Sequence, residues 1–363
     1  MKNICVLTVV DTISATSMPV NEFVLYRYKK GYSCRQVLIV CSDKGVEDVV
    51  IPESIVTYYV GDSVRKIRAC LKRIKQDCTE KGESLVCHLH GQKSALAFFR
   101  ASIGLGLRKH TLYTVHSTFS SRDFKYKLSS CLCTLLAKKA NCVSNSAYEQ
   151  YQPWVRKHKG ANMMAIPNGV DLDRIDQALL GDEDVKPSIN SLVCVGRIIP
   201  IKNQKFLVSL LPSLPDVTLV LIGAENPSYP VRQYAEELGV AERVEFTGLI
   251  PREEVFKKVR QSLIYVSAST VEGLPVSVLE AMAMGLIPIL SDIAPHREIE
   301  KETDVCSVVP LNEDKWIKAI RLQQGLGVVN VEALSSKIKE TVRACYSLEK
   351  MHNKYMSIYE ELA

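Results

Sequence analysis

Leu263-Ile264-Tyr265-Val266 is a short apolar run, followed by Ser267-Ala268-Ser269-Thr270-Val271-Glu272-Gly273-Leu274 and then by Pro275-Val276-Ser277-Val278-Leu279-Glu280-Ala281-Met282-Ala283-Met284-Gly285. The first piece has the length and branched side chains of a buried strand. The second is small and polar, and the third opens on a proline suited to a first helical turn. Strand, loop and helix in this order are one unit of a parallel sheet. The spacing predicts Glu272 and Gly273 at a helix N-terminus, where unpaired N–H groups and the positive dipole end suit a diphosphate and a glycine lets the backbone come close. Glu280 falls about one and a half turns into the helix, and its carboxylate can accept both hydroxyls of a vicinal diol such as ribose. Taken singly, Glu272 reads as a first-turn dipole partner and Glu280 as a surface helix residue. Lying between Leu279 and Ala281 in an apolar helix, however, the Glu280 carboxylate needs a partner.

Upstream, Val195-Gly196-Arg197-Ile198-Ile199-Pro200-Ile201-Lys202-Asn203 repeats the pattern of strand end, loop and helix start. Two fixed cations there can both reach a diphosphate, Arg197 as a fork and Lys202 as a point charge.

The same rhythm runs through the chain. Strands are predicted at Ile4–Val10, Gln36–Cys41, Ile55–Val60, Leu85–Leu89, Leu112–Val115, Asn141–Val143 and Met163–Ile166. After a break they resume at Leu192–Val195, Thr218–Ile222, Val244–Phe246, Leu263–Val266, Ile287–Leu290 and Val305–Val309. Helical patterns lie between them, and two longer ones start near Glu313 and Val331. The break is turn chemistry at Pro167-Asn168-Gly169-Val170-Asp171, and the polar stretch 180–187 reads as a linker. The expectation is α/β, with two doubly wound parallel-sheet domains, 1–170 and 171–345, facing a cleft. A C-terminal helix at 346–363 is expected to pack back on the first domain. Ligands of such sheets sit outside the carboxyl ends of the strands, so functional residues belong in strand-to-helix loops.

Composition agrees with this organisation. With 363 residues, 47% apolar and 24% charged, the chain is long for one core and sufficient for two. A net charge of +6 is modest and sets no partner. Twelve cysteines without paired metal-ligand spacing read as reduced thiols. The short first apolar run, meeting Asp11, reads as a strand rather than a leader, and no later run is long enough for a membrane span, so a cytoplasmic protein is expected. His88 and His90 share one strand face without an evident third ligand and read as cleft-lining or structural. Asp171-Leu172-Asp173 has the spelling of a metal-binding Asp-x-Asp, but Asp173 reads better as a helix N-cap, and no metal is expected.

Taken together, Thr114-Val115-His116-Ser117, Val143-Ser144-Asn145-Ser146, Ile166 to Asp171, Gly196 to Asn203, Ile222-Gly223, Phe246-Thr247-Gly248 and the Glu272…Glu280 pair resemble the retaining glycosyltransferases of family 4, with the GT-B fold. The resemblance covers nearly the whole chain. It implies that Arg197 and Lys202 neutralise the donor diphosphate and that Glu280 holds the ribose. Glu272, with the N–H groups of Gly273 and Leu274 ahead of Pro275, lies against the transferred sugar and its phosphate. Leu249 and Ile250 after Gly248 frame the base, Gly196 and Gly223 belong to the donor loops, and His116 faces the donor sugar. By the same resemblance the activity is hexosyl transfer from a nucleotide diphosphate sugar, a UDP-sugar favoured over GDP-mannose. The acceptor is a glycan or lipid-linked glycan of surface polysaccharide or glycolipid synthesis, and neither cofactor nor nucleic acid is called for.

The sequence departs from this family in the loop Asp11 to Pro19, which lacks the usual paired glycines, so donor contacts there and the acceptor stay open. A sugar-nucleotide epimerase or a non-catalytic nucleotide- or glycan-binding subunit are the rival readings. Basic helical patterns at Val64 to Lys75 and Phe124 to Cys142 fit an anionic bilayer contact on the inner face of the membrane, or equally a solvated outer helix beside a core helix.

Overall fold

The computed structural model describes residues 3–14, 18–42, 49–116, 119, 123–181, 186–326 and 328–363, with the side chains of 328 and 329 left aside. The chain divides into two compact units, Met1–Pro167 with Met351–Ala363, and Asn168–Lys350. The division falls at the Pro167-Asn168 turn, ahead of the polar stretch 180–187; residues 182–185 of that stretch lie outside the described residues.

Among the described residues the first unit holds seven parallel strands: β1 (Ile4–Val10), β2 (Cys34–Val40), β3 (Val56–Tyr59), β4 (Ser84–His90), β5 (Thr111–Val115), β6 (Lys139–Cys142) and β7 (Met163–Ala165). Their order is β3-β2-β1-β4-β5-β6-β7. All seven residues of β1 are buried, as a central strand covered on both faces requires, and its branched residues suit that place. The described residues of the second unit hold six: β8 (Ser188–Val195), β9 (Thr218–Ile222), β10 (Val244–Gly248), β11 (Ser262–Ser267), β12 (Ile287–Ser291) and β13 (Ser307–Val309), ordered β10-β9-β8-β11-β12-β13.

The period-two alternation of the strands separates two cores in the second unit. Val193, Val220, Tyr265 and Leu290 enter one, while Leu192, Leu219, Ile264 and Ile289 enter the other. In both sheets the strand order reverses beside the first strand, between β1 and β4 and between β8 and β11. The loops leaving those strands are where a doubly wound sheet places its ligand.

The residues Met351–Ala363 are tied to the first unit by buried polar bonds. Tyr359 Oη accepts from Arg27 Nη1 at 2.6 Å and lies 2.7 Å from His88 Nδ1, and Tyr355 Oη accepts from Asn141 Nδ2 at 2.8 Å. Arg27 also donates to Gln36 and Thr8, so each nitrogen of a fully buried guanidinium donates to a neutral oxygen. His88 Nε2 is 2.7 Å from Thr114 Oγ1, which makes His88 a structural residue of this network.

One local expectation changes. The cap of the helix Leu172–Ala178 is Asp171, whose side chain accepts from the Arg174 N–H at 3.1 Å, and Asp173 lies inside the first turn. The pattern from Phe124 to Cys142 is a helix, Phe124–Leu136, and then β6; the helix sends Cys131 and Cys133 into the core and leaves Phe124, Leu128 and Leu132 exposed on its other face.

Candidate active site

At the switch point of the second sheet, the loop after β8 and the loop after β11 touch. The Thr270 N–H donates to the Ile201 carbonyl at 2.8 Å. That contact brings Lys202 Nζ to 2.5 Å from Glu272 Oε1, at side-chain exposures of 22% and 12%. Glu272 Oε1 also accepts from Ser269 Oγ at 2.7 Å, and Ser267 Oγ donates to Ser269 Oγ at 3.2 Å. Beneath them, Ser291 at the end of β12 donates its hydroxyl to the Ser269 carbonyl at 2.5 Å, and His296 Nδ1 donates to the Ser291 carbonyl at 2.7 Å. The loop is thereby held from below by a strand end. His296 is fully buried, and burial pushes it down to about 4, so it stays neutral near pH 7.

Arg197 is exposed, and among the described residues its guanidinium has no hydrogen-bond or ion-pair partner. Its backbone is fixed, since Gln204 Nε2 donates to the Arg197 carbonyl at 2.9 Å. A cation with a rigid base and an open tip can receive an anion without first breaking an internal bond.

The floor is made by three glycines at the ends of β8, β9 and β10. The Gly196 N–H donates to the Ile222 carbonyl at 2.8 Å, and Gly223 N–H to the Gly248 carbonyl at 3.0 Å. Gly223 has φ +147, and a Cβ there would sit 2.3 Å from the Gly196 carbonyl oxygen, so no side chain fits.

The helix after the loop is Val276–Ala283, with Pro275 at its N-cap position and Glu280 well inside it. Glu280 is 9% exposed and has the partner that its surroundings demand: Arg252, the first residue of the helix Arg252–Val259, forms an ion pair with its Oε1. Burial pushes the Glu280 carboxyl up, and Arg252 pulls it back. Leu249 is exposed, and Ile250 packs against the core on the Glu280 side of the sheet. Gly273 and Leu274 precede the helix; the Leu274 carbonyl accepts from Asn168 Nδ2 at 3.4 Å. Asn168-Gly169 is structural in part, because the backbone beyond it pairs with 346–348: Val170 N–H donates to the Tyr346 carbonyl at 2.8 Å.

In the first unit His116 follows β5, with Nε2 2.8 Å from His90 Nδ1; burial pushes it down to about 4, so it too is neutral. At that sheet's switch point Asp11 Oδ1 accepts from the Ser94 N–H at 2.8 Å, and Gly91 (φ +81) leaves room for it, since a Cβ there would sit 2.4 Å from Asp11 Oδ2. Ser117 and residues 15–17 of the loop that departs from the family pattern lie outside the described residues. Among the described residues one group, Cys5, Cys78 and Glu83, brings three metal-ligating atoms within 4.8 Å of one another. Arg35 occupies its carboxylate at 2.5 Å and so stands where a cation would.

Arg252, Ser269, Ser291 and His296 were not singled out from the sequence. The demand of Glu280 for a partner was the signal that could have led to Arg252.

The second unit matches a known family: residues 182–324 fit Glycosyl transferases group 1. The chain is similar to a GDP-mannose-dependent alpha-(1-6)-phosphatidylinositol monomannoside mannosyltransferase of Mycolicibacterium smegmatis, 32% identical over 163 residues, which are 38% of this chain and 41% of the relative. It therefore spans about two fifths of that relative's length. It is also similar to a UDP-Gal:alpha-D-GlcNAc-diphosphoundecaprenol alpha-1,3-galactosyltransferase of Escherichia coli, 23% identical over 352 residues, covering 89% of this chain and 88% of the relative. Among solved structures, Anabaena HepE in complex with UDP and glucose superposes with a TM-score of 0.75 at 16% identity, covering 97% of this chain and 98% of that one. The two parallel sheets are those of the GT-B fold. The likeness to the group 1 glycosyl transferases is carried by the second unit, and the fold of the whole chain is that of the GT-B structures.

Proposed function

We propose that this protein transfers a hexose, with retention of configuration, from a nucleoside diphosphate sugar to a glycan or lipid-linked glycan acceptor. The observation that carries this is the meeting of the β8 and β11 loops at the switch point, which brings Lys202 against Glu272, with Arg197 on the same β8 loop and Glu280 one helix segment beyond. Cleaving a sugar–phosphate bond leaves an oxocarbenium-like sugar and a diphosphate, so positive charge fixed at the leaving group stabilises the transition state more than the ground state. Arg197, Lys202 and the N–H groups of Gly273 and Leu274 are the residues assigned to the diphosphate. Glu280 takes the ribose, Leu249 and Ile250 the base, and neutral His116 is the first unit's candidate group for the reacting sugar. A UDP-sugar is favoured because the relative aligned along most of both chains is named for UDP-Gal; the shorter match to a GDP-mannose enzyme makes GDP-mannose the competitor.

A thermal-shift screen against UDP, GDP, ADP and their sugar conjugates tests the reading. A ligand at a hundred times its dissociation constant adds about 2.7 kcal/mol, so a true donor gives a clear and selective shift. No shift with any of them favours a binding subunit of another kind.

Peripheral contact with an anionic membrane belongs to the same proposal, and the acceptors named in both relatives are lipid-linked. No helix among the described residues is long and apolar enough to cross a membrane. The helix Phe124–Leu136 exposes Phe124, Leu128 and Leu132 at four-residue spacing, and Lys109, Lys138 and His158 line a hollow that its last residues share. The helix Val64–Glu80 supports the surface less, because Arg68 and Lys75 are spent on the Ala101, Ile103 and Leu105 carbonyls.

A further inference from the structure

Glu280 offers its two carboxylate oxygens unequally. Oε1 is taken by Arg252 Nη2, whereas Oε2 has no hydrogen-bond partner among the described residues. Arg252 is well placed to be the fixed half of the pair. It opens the helix Arg252–Val259, just after the loop Leu249-Ile250-Pro251, and its Cζ lies 5.8 Å from the Phe256 ring centroid, so the guanidinium rests over an aromatic side chain. Other charges near Glu280 come from the helix Leu172–Ala178 and its cap. Arg174 is held by Glu253 Oε1 at 2.8 Å, and Asp171 acts in the opposite sense. Arg252 is thus the one cation bonded directly to Glu280 among the described residues.

We propose that Arg252 is a positioning residue for the nucleoside end of the donor: it anchors Glu280 through Oε1 and keeps it ionised, leaving Oε2 to accept a ribose hydroxyl. The proposal rests on the reading of Glu280 as a nucleoside diphosphate contact. The alternative role for Arg252 is a structural tie between two helices, and the two roles differ in what they do to binding. A positioning residue acts on the ligand only through Glu280. A tie lowers stability and affects affinity independently of the residue at 280.

The experiment measures the affinity for UDP and GDP by calorimetry at pH 6 and pH 8 in the wild type, Arg252→Met, Arg252→Lys, Glu280→Gln and the double variant Arg252→Met with Glu280→Gln. Wild-type binding of one nucleotide is the entry condition. Binding of neither overturns the donor-site reading and the proposal with it. Given binding, Arg252→Met is expected to weaken it about tenfold or more, the scale of a hydrogen bond to a charged group. The loss is larger at pH 6, because a buried carboxylate without its cation takes up a proton more readily there. Arg252→Lys keeps the charge and is expected to restore most of the pH independence.

In the Glu280→Gln background Arg252→Met is expected to cost nothing further, since there is no carboxylate left to position. Wild-type affinity in Arg252→Met, or the same loss in both backgrounds, overturns the proposal. If Arg252→Met alone does not fold because it strands a buried carboxylate, the comparison of the double variant with Glu280→Gln decides, as neither leaves that charge unpaired. Equal affinity supports the proposal, and a further loss overturns it.

Discussion

Lys202 and Glu272 stand 70 residues apart in sequence, and their side chains meet at 2.5 Å. Neither is fully solvated, so each screens the other's charge while the site is empty, and an arriving diphosphate competes with Glu272 for the lysine. Removing the cation should therefore damage both the resting site and the reaction. Lys202→Ala is expected to lower kcat/KM about a hundredfold or more, the scale of one lost transition-state donor. Steady-state kinetics with the donor identified by thermal shift measures it, and near-normal turnover removes Lys202 from the machinery.

Gly223 tests the floor beneath those loops. Gly223→Ala puts a Cβ 2.3 Å from the Gly196 carbonyl oxygen at a backbone angle that side chains avoid. The strain alone is expected to cost on the order of 1–3 kcal/mol. Urea unfolding should show it, accompanied by weaker nucleotide binding because Gly196 and Arg197 must shift. An alanine variant as stable as the wild type shows that the floor is looser than described.

The C-terminal segment is expected to be essential to the first unit. Tyr359→Phe removes the oxygen that Arg27 and His88 share, and leaving buried polar groups unpaired costs about 1–3 kcal/mol. A lower melting temperature than that of Tyr28→Phe, an exposed tyrosine of the same unit, is the expected outcome; equal values for the two variants contradict the network.

Acid should destabilise the protein through its buried histidines. Burial holds His352 down at about 3 and His296 at about 4, so both are neutral when folded, while the unfolded chain takes up protons below about 6.5. Stability contributed by each is complete above that value and is lost as pH falls towards the folded pKa, by about 1.4 kcal/mol per pH unit per group. Urea midpoints between pH 7 and pH 5 should fall steeply, and His352→Phe should show a shallower slope. An unchanged slope in that variant argues against a buried neutral His352.

For the membrane contact, flotation with anionic liposomes at low salt compares the wild type with Phe124→Glu combined with Leu128→Glu. Both side chains are exposed, so the fold should persist while attachment is lost. Equal flotation of the two proteins, or none of the wild type, withdraws the proposed surface.

Much of this architecture could be read along the chain. Each of the thirteen strands among the described residues overlaps a predicted one, with Ile4–Val10 and Thr218–Ile222 matching end to end. Strand edges and the loops bearing Arg197, Lys202, Glu272 and Glu280 are encoded by short-range features: apolar runs of strand length, and glycine or proline where they stop. Local spelling was less able to decide the cap at Asp171, because either aspartate could accept the N–H bond and the helix start chooses between them.

What the tertiary structure alone decided are the pairings. Arg252 finds Glu280 across 28 residues, His88 finds Tyr359 across 271, and Arg27 finds the same hydroxyl across 332. Sequence could establish that a carboxylate in an apolar helix must have a partner, since the cost of burying charge depends on its surroundings. Which residue answers it depends on how strands order themselves within a sheet and which helices then lie side by side, and that is settled only when the chain has packed.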